Sequence, residues 1–415
     1  MTSATRLRAQ RPFVLLFTGG TISSAGNAIA PIAIAFAVLE TTGSTADLGF
    51  VVAGRTLALA VCVLFGGAVA DRLPRRSVML AGALAAGASE AATAALLLSH
   101  SANIGLIVAL QAFNGAVTGF VMPASRSAIP QTVPPELLHQ ANVVNRMGAN
   151  ATSILGAAVG GILIAAVGPG WGVAVDSGTF FAAAACFLML RLPSTTPENE
   201  RDSEGIGRQL AAGWRDFRSR TWLWTIVLQF ALVNAGVDGV FDVLGPTTAQ
   251  RELGGARAWG LIMAFWSIGF VAGGVLATRL KYVRRPLLVG ALGVVPTGAF
   301  LGLIAVPLAV PALCAVALVT GAGIEVFGVE WDVTMQRHIP ADRLSRVYSY
   351  DMLGSFVFIP LGQVFAGLIQ PALGLTTSVA LCALIAFVPS VLVLAVRDVR
   401  TLPGEPRPAK IESCV

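Results

Sequence analysis

Three carboxylates stand where an apolar chain has little reason to keep them. Asp238 and Asp242 are four residues apart in the run WLWTIVLQFALVNAGVDGVFDVL, with Asn234 a further turn back. At about 3.6 residues per turn, these spacings put all three on one helical face. Two carboxylates one turn apart in a poorly hydrated site do not readily carry two charges together. That suits them to proton exchange, while the same stripe can instead hold a cationic organic molecule or hydrogen-bond to neighbouring helices. Glu325 lies near the middle of a second run, VPALCAVALVTGAGIEVFGVEWDV, with Glu330 and Asp332 following toward its end. A charge inside a bilayer costs on the order of several kcal/mol, so each of these groups needs a partner or a task.

Arg55 and Glu90 fall inside two other apolar runs, each about 12–14 Å from the same end at 1.5 Å per residue. That depth permits a buried ion pair, serving either as a structural tie or as a gate. Asp176 sits near one end of a further run, with no partner legible in the sequence. Asn27, Gln111 and Asn114 offer polar contacts at similar depth to Asn234. Trp266 and Phe327, with Phe265 and Trp331, offer aromatic walls for a bulky substrate or ordinary packing. His100, His139 and His338 fall in apparent loops, and the five Cys show no metal-ligand or disulfide spacing. No G-x-x-x-x-G-K-[ST] loop and no nucleophile–His constellation is present. No cofactor, no metal and no catalysis are expected.

The elements that must position these groups are membrane spans. Of 415 residues, 55% are hydrophobic and 12% charged, with mean hydropathy +0.76. Soluble domains carry roughly 25% charged residues, so a water-soluble fold is excluded, as is a disordered chain. Apolar runs of about 20 residues, enough to cross a bilayer as a helix, recur twelve times. They lie at 13–39, 47–70, 77–98, 103–125, 141–167, 171–190, 222–248, 258–279, 287–306, 311–333, 346–369 and 376–396. The basic start MTSATRLRAQRPF precedes a run with no clear cleavage site, read as a retained first span. Alternating connections carry 25 of the 28 Lys and Arg residues, leaving Arg251 and Arg257 opposite and Arg55 within a span. Basic loops stay cytoplasmic, so both termini are expected there. Nucleic acid is not an expected partner; the lipid bilayer is.

The organisation predicted is a cytoplasmic N-terminus (1–12), a six-helix bundle (13–191), a cytoplasmic linker (192–220), a second bundle (221–397) and a cytoplasmic tail (398–415). In the linker, IGRQLAAGWRDFRSR fits a basic amphipathic helix on the inner membrane surface or a plain solvated connection. The halves repeat. GGAVADRL at 66–73 matches GGVLATRL at 273–280, and VPPELLHQANVVNRMG at 133–148 matches IPADRLSRVYSYDMLG at 339–354, at offsets of 207 and 206. Parallel repeats of this kind place a substrate site between the halves near mid-membrane.

The turn Gly67-x-x-x-Asp71-Arg72-x-Pro74-Arg75-Arg76 resembles the G-x-x-x-D-R-x-G-R-R signature loop of the major facilitator superfamily, departing at Pro74. The resemblance implies an all-α fold of twelve transmembrane helices in two pseudo-symmetric six-helix bundles. It also implies a latch of the outward-facing state at Gly67, Asp71, Arg72, Arg75 and Arg76. Gly156-Ala-Ala-Val-Gly160-Gly161 is similar to the antiporter element G-P-x-x-G-G, with Ala157 in place of Pro. Gln111-Ala-Phe-Asn114-Gly115 lies where proton-coupled exporters have R-x-x-Q-G; the Arg is absent, and its coupling role does not transfer. Pro123-Ala124, Ile129-Pro130, Pro135-Glu136-x-Leu138-x-x-Ala141-Asn142, Leu253-Gly254-Gly255 and Gln336-Arg337-His338-Ile339-Pro340 resemble the bacterial drug-efflux branch that includes macrolide and siderophore exporters.

In that family spans 1, 4, 7 and 10 line the cavity. The resemblance therefore implies proton-coupling candidates Asp238, Asp242 and Glu325 and pocket candidates Asn27, Gln111, Asn114, Asn234, Trp266 and Phe327. The function expected is proton-coupled export of an amphipathic organic compound across the bacterial inner membrane by a monomer. Export of a siderophore or other natural product is the alternative, and a non-transporting membrane scaffold or sensor is the competing class.

Overall fold

With almost no water available in a bilayer interior, a spanning backbone must satisfy its own polar groups, and helices do so within one segment. The computed structural model describes residues 7, 9–192, 214–215, 217–279, 283–306, 308–339 and 341–403. At 64–72, 126–127, 135, 139, 143, 146, 278, 336, 341–346 and 348–349 it describes the backbone alone. Among the described residues there are twelve helices long and apolar enough to cross a membrane. They are α1 (Arg11–Thr42), α2 (Thr45–Arg72), α3 (Arg75–Leu98), α4 (Ile104–Ala128), α5 (Leu138–Val167) and α6 (Pro169–Met189), then α7 (Thr221–Leu253), α8 (Ala256–Arg279), α9 (Pro286–Ile304), α10 (Val310–His338), α11 (Tyr350–Leu373) and α12 (Leu375–Leu392).

The first six helices pack as α1 on α5 and α6, α2 on α4, and α3 on α4 and α6. Adding six to each label gives the packing of the second bundle: α7 on α11 and α12, α8 on α10, and α9 on α10 and α12. The repeat reaches into the backbone. Gly168 joins α5 to α6 at φ 89, ψ 161, and Gly374 joins α11 to α12 at φ 79, ψ 164. Only glycine enters that region routinely, and the two residues are separated by the repeat offset.

Three helices depart from the sequence expectation. α10 continues to His338, five residues beyond the expected end, so His338 lies in a helix and packs edge-on against Trp222 at 6.2 Å. α11 is interrupted at Val357–Phe358. Pro360 has no N–H, and its ring would collide with the Phe356 carbonyl in a continuous helix. α7 runs to Leu253 and contains two π-helical turns, Val240–Leu244 and Ala249–Leu253. Pro246 follows the first of them, where the wider turn relieves pressure on the carbonyl four residues back.

The halves meet along two symmetry-related seams, α2 with α11 and α5 with α8. Both seams use glycine to bring backbones together. A Cβ at Gly367 would lie 2.5 Å from the Thr45 carbonyl oxygen, and one at Gly161 2.6 Å from that of Ala256. These contacts fall toward the α1–α2, α7–α8 and α11–α12 turns. At that end α1 is buried on every face from Ile32 to Leu39, and α7 from Val243 to Ala249. Nearer its start, α1 keeps a half-buried face from Gly20 to Ala25. The bundles are clamped at the turn end, and the space between them faces the end that gathers the basic connections.

A candidate charge-coupling site between the halves

Asp242 projects from the first π turn of α7 and accepts a hydrogen bond from Gln363 Nε2 of α11 at 2.7 Å. The same Nε2 reaches Thr56 Oγ1 of α2 at 3.3 Å. One amide therefore ties a carboxylate of the second bundle to a hydroxyl of the first. Gln363 is 1% exposed, and its Oε1 has no hydrogen-bond partner. Asp238, one turn toward the open end, is half-buried like Asp242, and the two carboxylates act on each other electrostatically. Arg55, beside Thr56, acts on Asp242 across the seam.

The other candidates divide into three groups. Asn234 donates to the Ser355 carbonyl at 3.0 Å, just before the break in α11. It holds α7 to α11. Glu325 is half-buried against α8, where Gly273 and Gly274 make room for it. The rings of Trp266 and Phe327 are packed inside the second bundle, 8% and 4% exposed. Trp266 stacks on Phe300 at 5.7 Å, and Phe327 stacks on Phe230 at 4.4 Å. Half-buried Phe230 and Phe241 carry the aromatic surface outward from them.

In the first bundle, Arg55 Nη2 donates to Asn27 Oδ1 at 3.2 Å. Glu90 accepts from Gln111 Nε2 at 3.2 and 3.3 Å on its two oxygens. The expected Arg55–Glu90 pair thus takes another form: each charge bonds to an amide, and the two interact across the gap. Glu90, Gln111 and Asn114 are fully buried, and neither amide atom of Asn114 has a partner. Gly115 lets α4 settle against the Arg55 carbonyl.

Of the latch residues, Gly67, Asp71 and Arg72 lie outside the described side chains. Arg76 donates to the carbonyls of Phe187 and Leu188, the favoured place for a cation at a helix C-terminus. Arg75 is also engaged. Most of the linker and of the tail falls outside the described residues.

Sequence reading missed Gln363 and Thr56, together with Thr45, whose hydroxyl approaches the Gly367 carbonyl at 3.1 Å and Gln370 Oε1 at 2.9 Å. A glutamine in the middle of an apolar span was the available signal. It was outweighed by the charges elsewhere.

Residues 16–357 match the family profile of the Major Facilitator Superfamily. The chain belongs to that superfamily. This major facilitator protein is a multi-pass membrane transporter of small molecules. It is similar to the multidrug efflux pump Tap of Mycolicibacterium fortuitum, 26% identical over 382 residues that cover 88% of this chain and 90% of the relative. It is also similar to the enterobactin exporter EntS of Salmonella typhi, 25% identical over 72% of this chain and 71% of that one. Among solved structures, a mutant of the nucleoside transporter NupG shares the fold with TM-score 0.77 at 11% identity, covering 92% of this chain and 99% of that chain. A bacterial homologue of the iron transporter ferroportin, in an inward-facing state, gives 0.70 at 16% identity, covering 93% and 99%.

Proposed function

We propose that this transporter exports an amphipathic organic compound, a drug or antibiotic, from the bacterial cytoplasm in exchange for protons, working as a monomer in the inner membrane. The carrying observation is the bridge Asp242–Gln363–Thr56. A carboxylate accepting from an amide makes a charge-assisted bond. Protonation replaces that acceptor with a hydroxyl donor, for which Gln363 Oε1 is an unused acceptor. Proton binding at α7 thereby acts on the seam that clamps the halves. Asp238 lies one turn toward the open end, where a proton or a cationic substrate arriving through the cavity meets it first. With the basic end cytoplasmic, the open cavity takes substrate from the cell interior. The relative named a multidrug efflux pump supports the same reading.

The test is pH change inside proteoliposomes after ethidium is added, with wild type as control. Asp238→Asn and Asp242→Asn are expected to abolish ethidium-driven proton movement, while ethidium binding survives in at least one of them. Proton movement at wild-type rates in both variants would remove these carboxylates from the coupling path. Export of a siderophore is a second reading, favoured by the relative named an enterobactin exporter. Transport of a catecholate siderophore but not of ethidium would select it.

A further inference from the structure

A second group of buried charges lies in the first bundle, outside the hydrogen bonds of the α7–α11 bridge. Asp176 of α6 is fully buried, and its Oδ2 has no hydrogen-bond partner. Its Oδ1 meets only the Thr179 hydroxyl, at 3.5 Å. Glu90 of α3 is equally buried and receives one amide, that of Gln111. Arg55 of α2 acts on both carboxylates yet spends its hydrogen bond on Asn27. The charged groups acting on Asp176 are Glu90, from α3 packed against α6, and Arg55, from α2.

Two carboxylates and one guanidinium leave an unbalanced negative charge if both acids ionise, in a setting where unpaired charge is strongly disfavoured. Unpartnered polar atoms also lie on the helix that holds Glu90. Gln111 Oε1, on the side chain that holds Glu90, is buried and unpartnered, and both amide atoms of Asn114, one turn along the same face of α4, are too. The α1 wall is shaped to the acid. Gly26 stands where any Cβ would strike Asp176 Oδ1 and the Thr179 hydroxyl. Its neighbour Asn27 is half-buried, and it holds Arg55.

We propose that Asp176 is a second proton-binding site of this transporter, reached past Gly26 and Asn27, with Arg55 as a counter-ion shared between the Glu90–Asp176 pair and Asp242. A proton from cavity water adds to Asp176 Oδ2, forming an O–H bond and releasing Arg55 from one of its two charges in the first bundle. Arg55 is then free to favour Asp242 across the seam. The site builds on the transport reading but does not depend on the α7 pair.

The experiment needs no substrate. Infrared pH-difference spectra of the full chain in liposomes report the C=O stretch of protonated carboxyl groups. Asp176→Asn is expected to remove one band, and the Asp238→Asn/Asp242→Asn double variant to retain that band while losing others. Thr179→Val, which keeps the acid and deletes its hydroxyl neighbour, should shift the same band, so the assignment stands even if Asp176→Asn does not fold. A wild-type spectrum in folded Asp176→Asn, or an unshifted band in Thr179→Val when Asp176→Asn is unfolded, would overturn the proposal. Replacing choline chloride by sodium chloride at fixed pH should leave the band unchanged. Its loss on adding sodium would assign the site to a metal cation and overturn the proton. The α7 variants are read by ethidium-driven proton movement and Asp176 by its own infrared band, so the two readings fail separately.

Discussion

The α5–α8 and α2–α11 seams are related by the internal repeat, and they are chemically unlike. In α5–α8, Gly161 and Gly260 bring backbones together, and a Cβ at Gly260 would lie 2.5 Å from the Ala157 carbonyl oxygen. Among the described side chains its polar contact is one exposed pair, Ser153 with Ser267 at 3.2 Å. In α2–α11 the same close approach at Gly49 and Gly367 is overlaid with Thr45, Gln370, Gln363, Thr56 and Asp242. Packing of small residues is insensitive to protonation. Hydrogen bonds to a carboxylate are not. On the proposed coupling, the duplicated architecture supplies two seams of similar shape, and the polar side chains of one of them make it the seam that answers to charge.

The largest expected effect comes from spoiling the shape that both seams share. Gly260→Leu should prevent closure at the turn end and reduce transport by at least two orders of magnitude; ethidium efflux from loaded vesicles measures it. If transport stays near wild type, the α5–α8 contact does not have to close. Gln363→Leu should touch the other seam alone. A hydrogen bond to a charged group contributes about 1.5–3 kcal/mol, so the population clamped at the turn end should fall by about ten- to a hundredfold. Distances between spin labels on the two halves read that ratio, and its pH dependence should vanish with the amide. Thr45→Val removes neutral bonds of about 1 kcal/mol and should shift the same ratio about fivefold with pH dependence intact. Ser153→Ala, at an exposed contact worth well under 1 kcal/mol, should leave it unchanged. A large Ser153 effect would erase the contrast between the seams.

The fold was legible because bilayer physics writes itself into composition. Span count and the two halves follow from apolar run length and the repeat. The acids of α7 were legible for the same reason, since a charge in an apolar run stands out. Long-range partners were not. Spacing on α7 alone ranks Asp242 below Asp238, because it lies nearer the surface. Only the fold reveals that Gln363, 121 residues away, gives Asp242 the link to the opposite half. The aromatic candidates failed to stand out for the converse reason. Trp266 and Phe327 look alike in sequence whether they face a cavity or a core, and the structure buries both. The depth of Glu325 was legible in the sequence, while its neighbours Gly273 and Gly274 on α8 were not, because depth does not fix the face.

The π turns of α7 carry a consequence for comparing this chain with its relatives. Each closes a ring through the carbonyl five residues back, as Gly245 N–H does to Val240, and so holds one residue more than an α-helical turn. Such a turn is a spare link in the chain. Deleting one residue between Val240 and Leu244 would let α7 close up into ordinary helix without opening a gap. Everything from Gly245 to the next turn would then keep nearly its present orientation to the segment carrying Asn234, because a π turn takes up its extra residue with almost the same total rotation as the α-helical turn it replaces. A relative lacking that residue would keep the length of the span and present the corresponding side chains to the opposite half, one position earlier in its own sequence. Alignment of α7 across the family should therefore be anchored separately on the two sides of Val240–Leu244, because a gapless register drawn through them would pair residues that point in different directions.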